Sequence, residues 1–154
     1  MQTAKDIMTA PALSVTGDQT VREVLEMLAE KKISGFPVVN EENQVIGIIS
    51  DTDIIRYSHT INVIPLSNLS GWVSPYADIS DLASMRKGFD MLHTTSVSQI
   101  MTKKVYTIME DEAATDVAKL MNKRKINRVP VVDAAGKLVG IITRSDMVQC
   151  MANL

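Results

Sequence analysis

The sequence predicts a mixed α/β (α+β) fold built from two pseudo-symmetric β-α-β-β-α repeats that pack as one module. Two observations carry this prediction. The chain aligns with itself without a gap at a shift of 93 residues, and in each half the apolar residues change from helical spacing to short strand-like runs. With 154 residues in all, one half alone would bury little surface, so we expect the halves to share their core.

The repeats are predicted to span residues 4–56 and 97–149, and residues 57–96 form a connector between them. Among the matching positions are the Pro-Val-Val runs that begin at Pro37 and Pro130. A list of matches this long, with no insertion, is not expected by chance. The two halves should therefore share one fold.

Each repeat carries an amphipathic helix. Asp18 and Asp111 lie just ahead of the apolar pattern, where a carboxylate can cap a helix start. The apolar positions at helical spacing are Val21, Val24, Leu25 and Leu28 in the first repeat and Ala114, Val117, Ala118 and Met121 in the second. A short strand is expected before each helix, near "ALSV" and "VYTI".

Two strands and a second helix follow in each repeat. The apolar runs "FPVVN" and "VIGIIS", and later "VPVVD" and "LVGIIT", flank the turn-like segments "EENQ" and "AAGK", which indicates two hairpins. Ser50 and Thr143 then precede helical stretches and are N-cap candidates. This order completes the β-α-β-β-α unit.

The connector contains a predicted loop and a predicted helix. The stretch "SNLSGWVSPYADISD" is polar with Gly and Pro, whereas "DLASMRKGFDMLH" is compatible with a helix. We expect Trp72, Tyr76 and Phe89 to anchor the connector on a neighbouring surface. His59 and His93 are expected to be surface residues.

Composition excludes several classes of function. The formal charge is −2, 45% of residues are hydrophobic and the chain has one cysteine, Cys150, so neither a general polyanion-binding surface nor an internal disulfide is expected. No apolar run is long enough to cross a membrane, and "MQTAKDIMTAPA" lacks the features of a secretory signal. We therefore expect a cytoplasmic protein with no nucleic-acid or membrane partner. The five basic residues between Lys119 and Arg128 fit a solvated helix end or, at Arg128, a phosphate contact.

The quoted segments resemble a known family. The pairs "DIMT" and "QIMT", "GFPVV" and "RVPVV", and "GIISDTD" and "GIITRSD" make the chain similar to a tandem cystathionine-beta-synthase (CBS) domain pair, or Bateman module. The resemblance covers both repeats and leaves no catalytic domain, as in a stand-alone CBS-pair protein. It implies adenosine-containing ligands such as AMP, ADP, ATP or S-adenosylmethionine in clefts between the repeats, and a homodimer.

Carried over by position, the resemblance implies a ligand site on the second repeat. The sugar of the ligand would contact Thr143, Ser145 and Asp146, and its phosphates would lie near Asn127, Arg128 and Arg144. The base would lie against Thr9, Leu13, Ile33 and Ser34. Ile141, in the strand before the helix, is included in the site. An Asp one turn into a helix can accept hydrogen bonds from ribose hydroxyls, and free N–H groups at the same helix start suit a phosphate.

A related site is implied on the first repeat. It consists of Ser50, Thr52 and Asp53 for the sugar, Ser34 and Gly35 near the phosphates, Ile48 in the strand, and Thr102, Ile126 and Asn127 around the base. Arg128 and Arg144 correspond to Gly35 and Asp51 here, so we expect a phosphate to prefer the second repeat. The glycine before each hydroxyl, Gly47 or Gly140, would let a ligand approach the strand closely.

The site residues also have simpler structural explanations, and the chain has alternative functions. Ser50 and Thr143 could be simple N-caps, and the two aspartates could be favourable first-turn charges. The preferred function is a non-catalytic regulatory module that needs no cofactor or metal and takes an adenine nucleotide or S-adenosylmethionine as its regulatory ligand, in the manner of an energy sensor. A ligand-free module for dimerisation or for binding a target protein is the alternative. An enzyme has little support because no nucleophile elbow, Cys-His pair or metal-ligand spacing is present.

Overall fold

The computed structural model of the protein describes residues 1–60 and 79–154, and gives the side chains of these residues except 59, 60, 79–85 and 89. The helices are α1 Ala4–Ile7, α2 Val21–Lys31, α3 Asp51–Thr60, α4 Ile79–Thr94, α5 Val97–Ile100, α6 Ala114–Arg124 and α7 Arg144–Ala152. The strands are β1 Val15–Thr16, β2 Gly35–Val39, β3 Val45–Ser50, β4 Ile108–Met109, β5 Arg128–Val132 and β6 Leu138–Thr143.

The predicted repeat is confirmed, with one addition to each copy. The strands and the two long helices follow in the predicted order, but a one-turn helix, α1 or α5, precedes them. Both short helices carry a capping box, formed by Thr3 with Asp6 and by Ser96 with Gln99. These spacings are a signal in the sequence that could have predicted the two turns. The hydrogen bonds from Thr3 hold the pKa of Asp6 below its usual range.

The caps predicted for α2 and α6 were wrong. Thr20, not Asp18, is the N-cap of α2, and its side chain accepts the Glu23 N–H at 3.2 Å while Glu23 accepts the Thr20 N–H at 2.9 Å. The N-cap of α6 is Ala113 rather than Asp111. A hydroxyl that forms a reciprocal box satisfies two free donors at once, so Thr20 prevails over a carboxylate two residues earlier.

Helices α2 and α6 end in the same way. Lys32 and Lys125 adopt left-handed backbone conformations with φ of 53° and 57°. A residue in this conformation stops the helix and redirects the chain, although it is more often glycine. The turn leads in each repeat into the central strand of a sheet.

The strands form two three-stranded sheets, in the orders β1-β2-β3 and β4-β5-β6. In the second sheet, β4 runs parallel to β5, and β5 pairs antiparallel with β6 as the predicted hairpin. The Pro-Val-Val run of each central strand is buried, as expected for a strand covered on both faces.

The chain divides into two compact units that do not follow the repeats. The first unit comprises Met1–Ser14, Pro37–Gly47 and Lys103–Leu154, and the second comprises Val15–Phe36 and Ile48–Thr102. The opening segment of each repeat thus belongs to the unit that holds the last helix of the other repeat. This exchange explains why the sequence carries two copies.

In the first unit, α1 packs against the second repeat. The Ala4 and Lys5 N–H groups donate to the Glu112 and Glu110 carbonyls at 2.8 and 2.9 Å. The buried core that results contains Ala4, Ile108, Val117, Met121, Val129, Val131, Ile142 and Met147. Each fully buried aliphatic side chain of this size stabilises the fold by about 1.5 to 3 kcal/mol.

In the second unit, α5 is tied to the first repeat in the same way. The Val97 and Ser98 N–H groups donate to the Gln19 and Gly17 carbonyls at 2.8 and 3.0 Å. Buried apolar residues of this unit include Val15, Val21, Val24, Leu28, Phe36, Ile49, Ile54, Leu92 and Val97.

The predicted connector helix is confirmed as α4, which packs against α2. His93 is exposed, as predicted. The predicted loop with Trp72 and Tyr76, and the side chains of Phe89 and His59, lie outside the described residues. None of the helices in residues 1–60 and 79–154 combines the length and hydrophobicity that a membrane crossing needs.

We predict that Gly140→Ala lowers the free energy of unfolding by about 1 to 3 kcal/mol, the usual cost of overpacking. A Cβ at Gly140 would overlap the Met8 Sδ and lie 2.8 Å from the Met8 Cγ. Urea unfolding of the single and double variants checks the cause, because Met8→Ala should relieve most of the cost of Gly140→Ala. An equal cost in both backgrounds would contradict this packing.

Candidate functional site

The first candidate site lies at the turn from β6 into α7. Thr143 is the N-cap of α7, and its hydroxyl accepts the Asp146 N–H at 3.4 Å. In the other direction, Asp146 Oδ2 accepts hydrogen bonds from the Thr143 N–H at 2.6 Å and from the Thr143 hydroxyl at 2.7 Å. The predicted hydroxyl and carboxylate therefore form one reciprocal capping box.

Thr9 completes this site from the opening segment of the chain. Its N–H and carbonyl bond to Ile141 at 2.9 and 3.0 Å, so the segment is held against β6. The Thr9 hydroxyl donates to the free oxygen of Asp146, Oδ1, at 3.4 Å. Thr9 was expected beside the base, but the structure brings it to the carboxylate expected to hold the sugar. The Arg144 N–H donates to the Asn127 carbonyl at 3.0 Å, which places Asn127 at the same helix start.

The second candidate site repeats these contacts in the other unit. Asp53 Oδ2 accepts the Ser50 N–H at 2.9 Å and the Ser50 hydroxyl at 3.0 Å, while Asp53 Oδ1 accepts the Thr102 hydroxyl at 3.1 Å. Thr102 pairs with Ile48 through bonds of 2.8 and 2.9 Å. The Asp51 N–H donates to the Ser34 carbonyl at 2.8 Å, in the role that Arg144 and Asn127 fill at the first site.

The two sites share one chemical character. Each presents a half-buried carboxylate with one oxygen bound to its helix cap and the other facing a threonine hydroxyl. A carboxylate in this position accepts hydrogen bonds from neighbouring hydroxyl groups, such as those of a sugar. Among the described residues no group of three or more His, Cys, Asp or Glu side chains could hold a metal ion.

Arg144 and Asp146 lie on different sides of α7. Residues two apart are separated by about 200° around a helix. Arg144 lines a groove with Met147 and Val148, whereas Asp146 lines a polar cavity of about 310 Å³ with Thr9. Arg144 therefore lies on the groove side of the helix, whereas the Arg128 backbone pairs with Thr143 across the hairpin.

The other predicted residues divide between the units. In the first unit, Ile126 packs against the core and Leu13 is 48% exposed, while Ser145 is exposed near the start of α7. In the second unit, Gly35 is buried at the start of β2, and Ile33, Ser34 and Thr52 are exposed. Each of the two sites thus gathers its hydroxyl, its carboxylate and its threonine within one unit.

One glycine does not act as expected. The space beside Gly140 was predicted to admit a ligand, but the Met8 side chain occupies it. Met8 is half-buried and packs against the core of the first unit. The glycine therefore serves the packing of the opening segment on β6. No pattern within the second repeat alone could have identified Met8 as its neighbour.

The basic cluster at Lys119–Arg128 is largely engaged in local contacts. Lys119 pairs with Asp116 at 2.9 Å, and the Arg124 guanidinium lies 4.4 Å from the centre of the Tyr106 ring. Exposed pairs of this kind contribute little to stability. They favour the interpretation of the cluster as a solvated helix end.

The sequence matches a family model, the CBS domain, twice, over residues 4–60 and 97–153. The chain belongs to the CBS-domain family. The match covers both repeats, and the structural neighbours below share the paired arrangement. The resemblance noted from the short motifs is thereby confirmed.

Three relatives place this CBS pair among known proteins. An uncharacterized protein of Methanocaldococcus jannaschii, MJ1426, is 34% identical over 96% of this chain and 89% of its own length. The crystal structure of the Arabidopsis thaliana protein CBSX2 in complex with AMP has a TM-score of 0.73 at 27% identity and covers 99% of this chain and 98% of that one. The chain spans only 54% of the full CBSX2 sequence.

The third relative is the CBS domain pair of protein MJ0100, solved with 5′-methylthioadenosine and S-adenosyl-L-methionine. It has a TM-score of 0.73 at 25% identity and covers 99% of this chain and 98% of that one. CBS pairs of the same fold thus bind different adenosine derivatives.

We predict that Thr143→Ala lowers the free energy of unfolding by about 1 kcal/mol, the typical cost of losing a hydroxyl N-cap. The variant removes the bonds between the Thr143 hydroxyl and Asp146. Ser145→Ala, in an exposed position of the same turn, is the matched control in thermal or urea unfolding. Equal losses in both variants would show that the capping box does not stabilise α7.

Proposed function

We propose that this CBS pair is a non-catalytic regulatory module that binds an adenosine-containing ligand, namely AMP, ADP, ATP or S-adenosylmethionine. The observation that carries the proposal is the repeated hydroxyl, carboxylate and threonine arrangement, at Thr143, Asp146 and Thr9 and again at Ser50, Asp53 and Thr102. Two sites with the same unusual set of contacts exceed what helix capping alone requires. The adenosine derivatives bound by CBSX2 and MJ0100 support the choice of ligand class.

In the proposed complex, the ribose hydroxyls donate to the outer oxygen of Asp146 or Asp53. In Asp146 this oxygen accepts a hydrogen bond of 3.4 Å from the Thr9 hydroxyl, and in Asp53 it accepts one of 3.1 Å from the Thr102 hydroxyl. A ribose hydroxyl can replace the threonine hydroxyl or bond to the same oxygen beside it. The inner oxygen keeps its helix cap. Because the cap already fixes the carboxylate, little side-chain freedom is lost on binding.

The two sites are proposed to differ in their preference for phosphate. Arg128 lies beside the Thr143 turn in the hairpin register, and Gly35 takes its place in the first repeat. A guanidinium forms charge-assisted hydrogen bonds with phosphate, and glycine offers only its backbone. Phosphorylated ligands should therefore prefer the site at Asp146.

We further propose that the module is cytoplasmic and acts as a homodimer whose geometry reports ligand occupancy to a target protein. Support comes from apolar side chains that remain exposed on its helices: Ile55 by 58%, Val148 by 62% and Met151 by 60%. Such surfaces mark interaction sites in soluble proteins. The same observation favours the alternative, a ligand-free module for dimerisation or for protein interaction.

We predict that at least one of AMP, ADP, ATP and S-adenosylmethionine raises the melting temperature by about 5 to 10 °C. A ligand at 100 times its Kd stabilises the folded state by about 2.7 kcal/mol, which corresponds to that shift for a chain of this size. GMP serves as the control for base recognition, and chromatography of the incubated nucleotides checks that none is consumed. If no adenosine compound shifts the transition, the ligand-free alternative stands.

We predict that Asp146→Ala weakens AMP binding by about 1.5 to 3 kcal/mol, the range for hydrogen bonds to a charged group. Asp133→Ala is the matched control, because the Asp133 carboxylate also accepts two backbone N–H groups, from Ala135 and Lys137, but in a turn. Calorimetric titrations of both variants make the comparison. Equal affinities would remove the ribose role of Asp146.

We predict that Arg128→Ala removes most of the preference for AMP over adenosine while adenosine affinity is retained. Arg144→Ala should have a smaller effect, since Arg144 lies on the groove side of α7, and the double variant should resemble Arg128→Ala. Titrations of AMP and adenosine into the three variants check this. Two results would contradict the proposed preference of AMP for the Asp146 site. One is an unchanged preference for AMP over adenosine in the double variant. The other is that Asp53→Ala, rather than Asp146→Ala, removes the tighter AMP site.

A further inference from the structure

A second contact recurs in both units, one helical turn beyond each site carboxylate. In the second unit, the Tyr57 and Thr95 hydroxyls share a hydrogen bond of 2.5 Å. At a shift of 93 residues these positions correspond to Cys150 and Gln2, and in the first unit the Cys150 thiol donates to the Gln2 side-chain oxygen at 3.0 Å. None of these four residues belongs to the motifs from which the sites were predicted. The contact is therefore a separate repeated feature of the fold.

This contact and the threonine–carboxylate contact hold the two ends of one short segment. In the second unit, residues 95–102 include α5, which packs against α3. At one end of the segment, Thr95 meets Tyr57. At the other end, Thr102 meets Asp53, and this aspartate precedes Tyr57 by four residues on the same face of α3. The first unit repeats the arrangement with α1 and α7.

The contact is stronger in the second unit because its chemistry differs. Thr95 is buried, Tyr57 is half-buried, and both partners are hydroxyls, which donate and accept hydrogen bonds well. In the first unit Gln2 is exposed, and the thiol of Cys150 is a weak donor. The backbone does not account for the difference, since the Thr95 and Gln2 carbonyls accept the first N–H of α2 and of α6, respectively, each at 2.9 Å.

The distances at the site carboxylates agree with this difference. The Thr102 hydroxyl lies 3.1 Å from Asp53, whereas the Thr9 hydroxyl lies 3.4 Å from Asp146. In the first unit, the polar cavity of about 310 Å³ lies between α7 and the opening segment, and the residues of both contacts line it. The opening segment is therefore not packed tightly along α7.

We propose that Tyr57 and Thr95 are positioning residues that hold Thr102 against Asp53. The Asp53 site is then preformed, and it loses less conformational freedom when a ligand binds. The weaker contact of the first unit leaves the opening segment able to move against α7, so the Asp146 site adjusts to its ligand. This inference rests on the proposed ligand sites and adds how each of them holds its ligand.

Amide hydrogen exchange without ligand tests the positioning. The double variant Tyr57→Phe, Thr95→Val removes both hydroxyls and keeps the shape of the side chains, so it leaves no unpaired buried hydroxyl of this pair. The Thr102 and Ile48 N–H groups, which bond to each other's carbonyls at 2.8 and 2.9 Å, should exchange about three- to tenfold faster. The Leu28 N–H, on the buried face of α2, reports on the stability of the unit and should be unchanged.

Cys150→Ala is the matched control in the first unit. It removes a weak donor, so the Thr9 and Ile141 N–H groups, which pair at 2.9 and 3.0 Å, should change far less. Three results would overturn the proposal. The first is unchanged exchange beside Asp53 in the double variant, and the second is an equal effect of Cys150→Ala in the first unit. The third is an equal acceleration inside α2, which would show that the pair stabilises the whole unit rather than the site.

Adenosine titration connects the positioning to binding. In an Asp146→Ala background, which leaves the Asp53 site, Tyr57→Phe with Thr95→Val should weaken adenosine affinity about three- to tenfold. In an Asp53→Ala background, the same two substitutions should leave adenosine affinity unchanged. No loss in the first background, or an equal loss in both, would contradict the positioning role. If the wild type binds no adenosine, the proposed function fails, and the exchange measurement alone decides whether the pair positions Thr102.

Discussion

The reciprocal bond between a helix cap and an aspartate one turn later is the contact on which the rest of each site depends. Asp146 holds Thr143 through its inner oxygen, and Asp53 holds Ser50 in the same way. Bonds to a charged acceptor are stronger than neutral ones, so each turn from strand to helix is well fixed. The outer oxygen is then left at a defined position, where it meets Thr9 or Thr102. Without the cap, neither the helix start nor the acceptor would have a fixed place.

The exchange of opening segments follows from the same contacts. Thr9 reaches Asp146 because residues 1–14 pair with β6, and Thr102 reaches Asp53 because the segment after α5 pairs with β3. Each site therefore needs residues from both repeats, although it lies within one unit. A single repeat would lack the threonine of its own site and the short helix that covers its core. This dependence gives the duplication a physical reason beyond the marginal size of one half.

Much of this fold could be predicted from periodicity, because α2, α6 and the four hairpin strands carry apolar patterns in the sequence. The helix starts were harder, since Asp18 and Thr20 are both acceptable caps and only the reciprocal bond with Glu23 decides between them. Contacts between distant segments, such as Met8 beside Gly140, leave no local signal. At the sites, the motif located Asp146, but the different directions of Arg144 and Asp146 become clear only once the helix is built on its cap.

The first turn of α7 contributes to two different surfaces of the first unit. Asp146 takes part in the proposed ligand site, and Arg144, on a different side of the same first turn, lines the groove with Met147 and Val148. A ligand can shift the dimer only if it binds the associated and dissociated states with different affinity, and the dimer must then change ligand affinity by the same factor. A displacement of this capped turn would move the ribose acceptor and the Arg144 side of the helix together. The first turn of α7, rather than the length of the helix, is therefore where ligand occupancy at Asp146 would act on the other side of the helix.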